Sequence, residues 1–143
     1  MQNRNDATLT VARLKISHLR HLNDTYGSQK GDEALIAMAG FLRRTFPDAI
    51  LCRFGDGEFL IGQIGADLSA DFKEKFLDML INIRQYCDAD QNPLLRSANM
   101  GFTGTDDPQV ALDKLIRQSD LALYYARNLG EGQCCVFSEI ISE

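Results

Sequence analysis

Ile50-Leu51-Cys52-Arg53-Phe54-Gly55-Asp56-Gly57-Glu58-Phe59-Leu60-Ile61-Gly62-Gln63-Ile64 is the stretch on which the reading of this chain turns. Two short β-prone runs, Ile50 to Phe54 and Glu58 to Ile64, flank Gly55-Asp56-Gly57. Glycines beside an aspartate supply the positive-φ positions of a tight turn. The stretch therefore reads as a β-hairpin with an exposed tip. Asp56 and Glu58 set two carboxylates beside flexible backbone there, which suits a phosphate or metal site and equally suits an ordinary turn.

Upstream of the hairpin, Asp32 to Thr45 reads as an amphipathic helix, because Leu35, Met38, Ala39 and Leu42 recur at three- and four-residue spacing. Asp32 and Glu33 at its start and Arg43 and Arg44 at its end match the helix dipole, and Pro47 closes it. Before it, Ala7 to Ile16 reads as a strand with apolar Leu9, Val11, Leu14 and Ile16, its alternation broken at Ala12-Arg13. Ser17 to Leu22 reads as a short helix capped by Ser17 and stopped by the turn formers Asn23-Asp24-Thr25-Tyr26-Gly27.

Downstream, Phe72, Phe76, Met79, Leu80 and Ile83 line one face of a helix over Ser69 to Tyr86, and Leu94 to Phe102 reads as a strand. Asp107-Pro108 resembles a helix start, with Leu112, Leu115, Ile116, Ala122, Leu123 and Ala126 marking a helix bent near Ser119-Asp120. Gly130 and Gly132 stop it, and Cys134 to Phe137 gives a last strand. The order β-α-α-β-β-α-β-α-β predicts an α+β fold: a sheet with helices packed on it.

At 143 residues the chain fits one domain over 1–143 with a core that needs no staples. The net charge of −5 excludes a global positive field, so nucleic acid and anionic membrane surfaces are not expected partners. Without a long apolar run or a signal-peptide pattern, the expectation is a cytoplasmic domain, or the cytoplasmic part of a membrane-anchored protein. Cys52, Cys87, Cys134 and Cys135 lack zinc spacing and read as free thiols in a reducing compartment. His18 and His21 lie three apart on one short helix with no third ligand nearby, so an exposed helical face outweighs a metal site. Tyr124-Tyr125 reads as packing rather than a base-stacking platform.

Three motifs together carry a family resemblance. Asn23-Asp24-Thr25-Tyr26-Gly27 with Gly31-Asp32, then Arg53-Phe54-Gly55-Asp56-Gly57-Glu58-Phe59, then Ser119-Asp120-Leu121-Ala122-Leu123-Tyr124-Tyr125-Ala126-Arg127 with Gly130, resemble the GGDEF family of diguanylate cyclases. They fall in the family's order and cover the chain from about Leu9 to Phe137. The resemblance implies a nucleotidyl-cyclase-like, mostly antiparallel central sheet flanked by helices, with the signature hairpin at the site. It also implies a piece of a longer multidomain protein. Active members pair two such domains, each holding GTP and divalent metal, and condense the two nucleotides into cyclic di-GMP.

The departures from the family pattern lie at the metal. Active members carry an aspartate at the end of the first strand, where this chain has Lys15, and an acid as the third signature letter, where it has Gly57. Glu58 is then the one surviving metal candidate, and Asp56, a neighbour on a hairpin, points to the wrong face to replace the missing acid. An ammonium in place of a metal-binding carboxylate repels a cation as well as failing to hold it. No metal cofactor is expected, with Mg²⁺ required only if a noncanonical site of Asp56 and Glu58 works.

The base-reading positions survive as Asn23 and Asp32, an amide and a carboxylate suited to guanine's O6 and N1/N2, though both residues also suit helix ends. Arg127 keeps the charge of a phosphate-binding lysine, and Glu131 reverses that of a basic residue. Lys15 as a phosphate binder is a further reading. Arg44 and Asp48 stand one residue too far apart for the family's inhibitory product site. The chain is thus expected to be a catalytically degenerate domain of bacterial cyclic-di-GMP signalling. It would act as a regulatory module that binds GTP or another guanine nucleotide, or docks on a partner such as a phosphodiesterase. The alternative is an active diguanylate cyclase.

Overall fold

The computed structural model describes residues 8–65, 69–90 and 97–141. Strand β1 (Thr8–Ile16) lies at the middle of a five-stranded sheet. It pairs antiparallel with β3 (Glu58–Gly65) on one side and β4 (Ala98–Thr105) on the other. β2 (Ile50–Phe54) forms the hairpin with β3 at one edge, and β5 (Cys134–Val136) runs parallel to β4 at the other. The order β2-β3-β1-β4-β5 is thus mostly antiparallel, as the sequence predicts.

The apparent break at Ala12-Arg13 has a simple origin: β1 is covered on both faces. Ala12, Leu14 and Ile16 enter the main core, while Val11, also buried, faces the other way. The main core lies between the sheet and helices α2 (Ser28–Thr45) and α3 (Ser69–Asp90). Phe46 stacks on Phe72 at 4.7 Å, and Phe72 meets Phe102 of β4 at 5.8 Å between ring centroids. Helix α4 (Leu112–Leu129) covers the opposite face, burying Leu115, Ala122, Leu123 and Ala126. Its close approach requires Gly101 of β4, because a Cβ there would run into the backbone of Ala122 and Leu123.

Several sequence expectations shift. Helix α1 (Leu19–Tyr26) runs through Asn23-Asp24-Thr25-Tyr26 instead of ending there, and it is preceded by His18 at φ 63° rather than capped by Ser17. Gly27 alone, at φ 94°, separates it from α2. Because α2 begins at Ser28, Asp32 lies inside the helix and caps nothing, and Asn23 likewise ends nothing. Turn-forming side chains were overridden here by the apolar contacts of Leu22, Ala34 and Leu35. Asp107-Pro108 belongs to a turn in which Asp107 Oδ1 accepts from Gln109 N, and α4 starts only at Leu112. α4 passes Ser119-Asp120 without interruption, the Ser119 hydroxyl donating back to the Ile116 carbonyl. β4 begins at Ala98, and the earlier residues assigned to it, 94–96, lie outside the described ones. A short α5 (Phe137–Ile141) replaces the expected end of the last strand at Phe137.

Cys52, Cys134 and Cys135 are free thiols, and the Cys87 side chain lies outside the described ones. Burial pushes the Cys134 thiol up to about 12, Lys73 partly opposing the shift, and burial also raises Cys135. Because the thiolate is the nucleophile, iodoacetamide at about pH 8 is expected to label exposed Cys52 in the native protein and Cys134 only after unfolding. Peptide mass mapping reads both. Gly101→Ala is expected to cost about 2–3 kcal/mol in urea unfolding, since the obstructing atoms are backbone and cannot rotate away.

Candidate functional site

The site gathers at the end of β1, where the chain turns into α1. Ile16 N donates to the Gly57 carbonyl at 2.9 Å and thereby ties the hairpin tip to this end of the sheet. Gly55 and Gly57 adopt φ 64° and 75°, as the turn reading requires. Gly57 is also buried against α1: a Cβ at this position would lie 2.6 Å from Leu19 Cδ2. A carboxylate side chain at 57 therefore meets both a left-handed backbone and an occupied space.

Strand alternation places Arg13 and Lys15 on the same face as Glu58, which pairs with Lys15 across the ladder. Arg13 Nε donates to Glu58 Oε1 at 2.8 Å, and Lys15 Nζ lies 3.5 Å from Glu58 Oε2. Both carboxylate oxygens are thus engaged by cations. Lys15 Nζ also donates to the Asp56 carbonyl at 3.3 Å. Arg13 reaches Asp120 of α4 at 3.4 Å and stacks over the Phe54 ring at 4.2 Å. The cluster joins β1, both strands of the hairpin and α4.

Beside it opens a cleft of about 620 Å³. Lys15, Asn23, Asp32, Asp56, Gly57 and Arg127, all singled out in the sequence, line it together. Glu58 is not in its wall. Asp56 is exposed, and its carboxylate makes no hydrogen bond or ion pair among the described residues. Asn23 packs its amide on Gly31, where a Cβ would overlap Oδ1. That oxygen is buried with no hydrogen-bond partner, an arrangement that costs about 1–3 kcal/mol.

Sequence reasoning missed Arg13, Arg20, Arg53 and the role of His18. Arg13 was legible from its two-residue offset to Lys15 opposite the signature strand. Arg20 and Arg53 line the cleft from α1 and β2 and sit three residues from recognised positions. His18 Nε2 pairs with Glu131 Oε2 at 2.9 Å, a contact 113 residues apart that no local pattern announces. His21 has no such partner among the described residues. Within those residues, no group of three or more His, Cys, Asp or Glu side chains is placed to hold a metal ion.

The fold is that of a nucleotidyl-cyclase-like protein. The chain superposes on the active GGEEF domain of a diguanylate cyclase from Vibrio cholerae with a TM-score of 0.73 and 25% identity, over 91% of this chain and 83% of that one. The description "Diguanylate cyclase, GGDEF domain" matches residues 1–133, and the chain belongs to that family. It is 24% identical to the biofilm architecture maintenance protein MbaA of Vibrio cholerae, over 93% of this chain and 18% of that protein. It is also 24% identical to the cyclic di-GMP phosphodiesterase NbdA of Pseudomonas aeruginosa, over 91% of this chain and 17% of NbdA. The chain therefore spans less than a fifth of the length of either relative. Among the described residues no helix is long and apolar enough to cross a membrane.

Glu58 pairs with both Arg13 and Lys15, whose side chains are only 13% and 29% exposed. Glu58→Ala is expected to lower the unfolding free energy by about 2 kcal/mol, because Arg13 keeps only its longer contact with the exposed Asp120 and Lys15 only the Asp56 carbonyl. Glu58→Gln should lose less, since Arg13 keeps an acceptor; chemical denaturation of the three proteins checks the order.

Proposed function

We propose that this is a GGDEF domain without cyclase activity, retained as a guanine-nucleotide-binding regulatory module in cyclic-di-GMP signalling. The observation that carries this reading is the engagement of Glu58 by Arg13 and Lys15. Joining a 3′-hydroxyl to an α-phosphate with pyrophosphate leaving requires cations that neutralise developing charge, and these require carboxylates. The donor set here does not fit a divalent ion. Its remaining carboxylate is already bound at both oxygens, and two fixed cations stand where the ion would sit. Two unit charges about 4 Å apart interact by about 4 kcal/mol at an effective dielectric of 20, and a divalent ion doubles the repulsion from each. No metal cofactor is assigned.

The base-reading end supports binding without catalysis. Asn23 Oδ1 is held against Gly31, which leaves the amide Nδ2 to donate to guanine O6, while the Asp32 carboxylate accepts from N1 and N2. Arg127 lines the same cleft as a phosphate partner. The module acts in the cytoplasm, and the named activity of NbdA supports a phosphodiesterase domain as the partner it regulates.

Calorimetric titration of GTP and GDP into the purified chain, in Mg²⁺ and again in EDTA, tests the reading. Saturable binding of GDP that is equal in both buffers, with loss on Asp32→Ala at unchanged melting temperature, is the expected result. Formation of cyclic di-GMP from GTP and Mg²⁺ or Mn²⁺, abolished by Glu58→Ala, would instead establish the active cyclase with a site of Asp56 and Glu58. Absence of binding in both buffers would leave docking on a partner domain as the function.

A further inference from the structure

The cleft has a second compartment. A cavity of about 280 Å³ shares Lys15, Ile16, His18 and Arg127 with the main cleft and ends at Gly130 and Glu131. The two spaces therefore form a line: the amide and carboxylate of Asn23 and Asp32 at one end, Lys15 and Arg127 in the middle, and Glu131 at the other end. His18, which borders both spaces, pairs with Glu131, which borders only the second, both side chains being about half exposed at 51% and 55%.

Three guanidinium groups from three elements meet along this line. Arg20 of α1, Arg53 of β2 and Arg127 of α4 line the main cleft, and none makes an ion pair or hydrogen bond among the described residues. Guanidinium forks bind phosphate oxygens in two-point geometry without a metal intermediary. Lys15 is already paired with Glu58, so the free cations of the main cleft are these three guanidinium groups, set against the carboxylates of Asp24, Asp32 and Asp56. The cleft thus carries no surplus of positive charge, and the neighbouring compartment adds the carboxylate of Glu131.

We infer that the cleft selects guanine nucleotides with one or two phosphates, held by guanidinium groups in place of a metal, and that Glu131 turns away a third phosphate. The inference rests on the guanine-binding reading above and deepens it. A terminal phosphate carries about −1.5 to −2 at neutral pH. A third phosphate extends the chain from Arg127 toward the Glu131 carboxylate, with no divalent ion to screen the two. The shorter ligands stop at the cationic middle. His18 orients Glu131 through the 2.9 Å contact and so holds this carboxylate at the end of the cavity.

The test is titration of GMP, GDP and GTP into the full chain in EDTA, for the wild type and for Glu131→Gln, Arg20→Gln and Arg53→Gln. GDP is expected to bind about tenfold tighter than GTP, and Glu131→Gln to close most of that gap by tightening GTP alone. Arg20→Gln and Arg53→Gln are expected to weaken GDP about three- to tenfold each, with no change in melting temperature, since neither guanidinium has a structural partner. GTP binding as tightly as GDP, or a GDP/GTP ratio unmoved by Glu131→Gln, overturns the inference while leaving guanine binding intact. No binding of any of the three nucleotides overturns the guanine-binding reading itself, and this inference with it.

Discussion

Everything at the site hangs on β1 being a central strand with both edges hydrogen-bonded and both faces covered. Such a strand cannot slip in register without turning a buried row outward, so the position of each residue along it is fixed. That constraint puts Arg13 and Lys15 on the α4 face, Ala12, Leu14 and Ile16 in the main core, and the strand's end against the hairpin tip through the Ile16–Gly57 hydrogen bond. Two cations so placed must be compensated, and the ladder partner Glu58 compensates them. The Glu58 carboxylate therefore serves the fold.

The same logic applies to Gly57. Its absence of a side chain is not an isolated deletion, because Leu19 fills the space and the backbone stands at φ 75°. An L-residue in this conformation is strained whatever its chemistry, and an acid would also have to displace a half-buried leucine. Lys15, Gly57 and Leu19 thus form a mutually consistent set. A side chain at position 57 would require the Leu19 methyl to turn aside as well as a left-handed backbone.

Much of the architecture was legible because its signals were local and repeated. The hairpin announced itself through Gly55-Asp56-Gly57, and α2 and α3 through apolar residues at helical spacing. What failed did so where tertiary contacts outweighed local preference. Asn23-Asp24-Thr25 favour turns, yet the burial of Leu22 against α2 keeps them helical. Asp107-Pro108 has the chemistry of a helix start and was used for a turn instead. At the site, the motif residues were recognised singly, and the structure adds their partners. Arg13 with Glu58 spans 45 positions and His18 with Glu131 spans 113, distances over which a single sequence carries no register.

A regulatory domain needs a ligand that distinguishes two arrangements of the chain, because a ligand with equal affinity for both shifts neither. The cleft of this chain joins several elements. Its walls come from α1 and α2, joined through Gly27 alone, from the hairpin tip, and from α4 on the other face of the sheet. A ligand in contact with Asn23, Asp32, Arg53 and Arg127 at once would bridge all of them. Its binding energy is spent on the relative position of these elements, not on any one of them. The internal ion cluster is what makes this available without a metal. With Glu58 engaged from within, Lys15 keeps its place beside the tip, so the ion cluster and the cleft wall next to it form one unit of the fold.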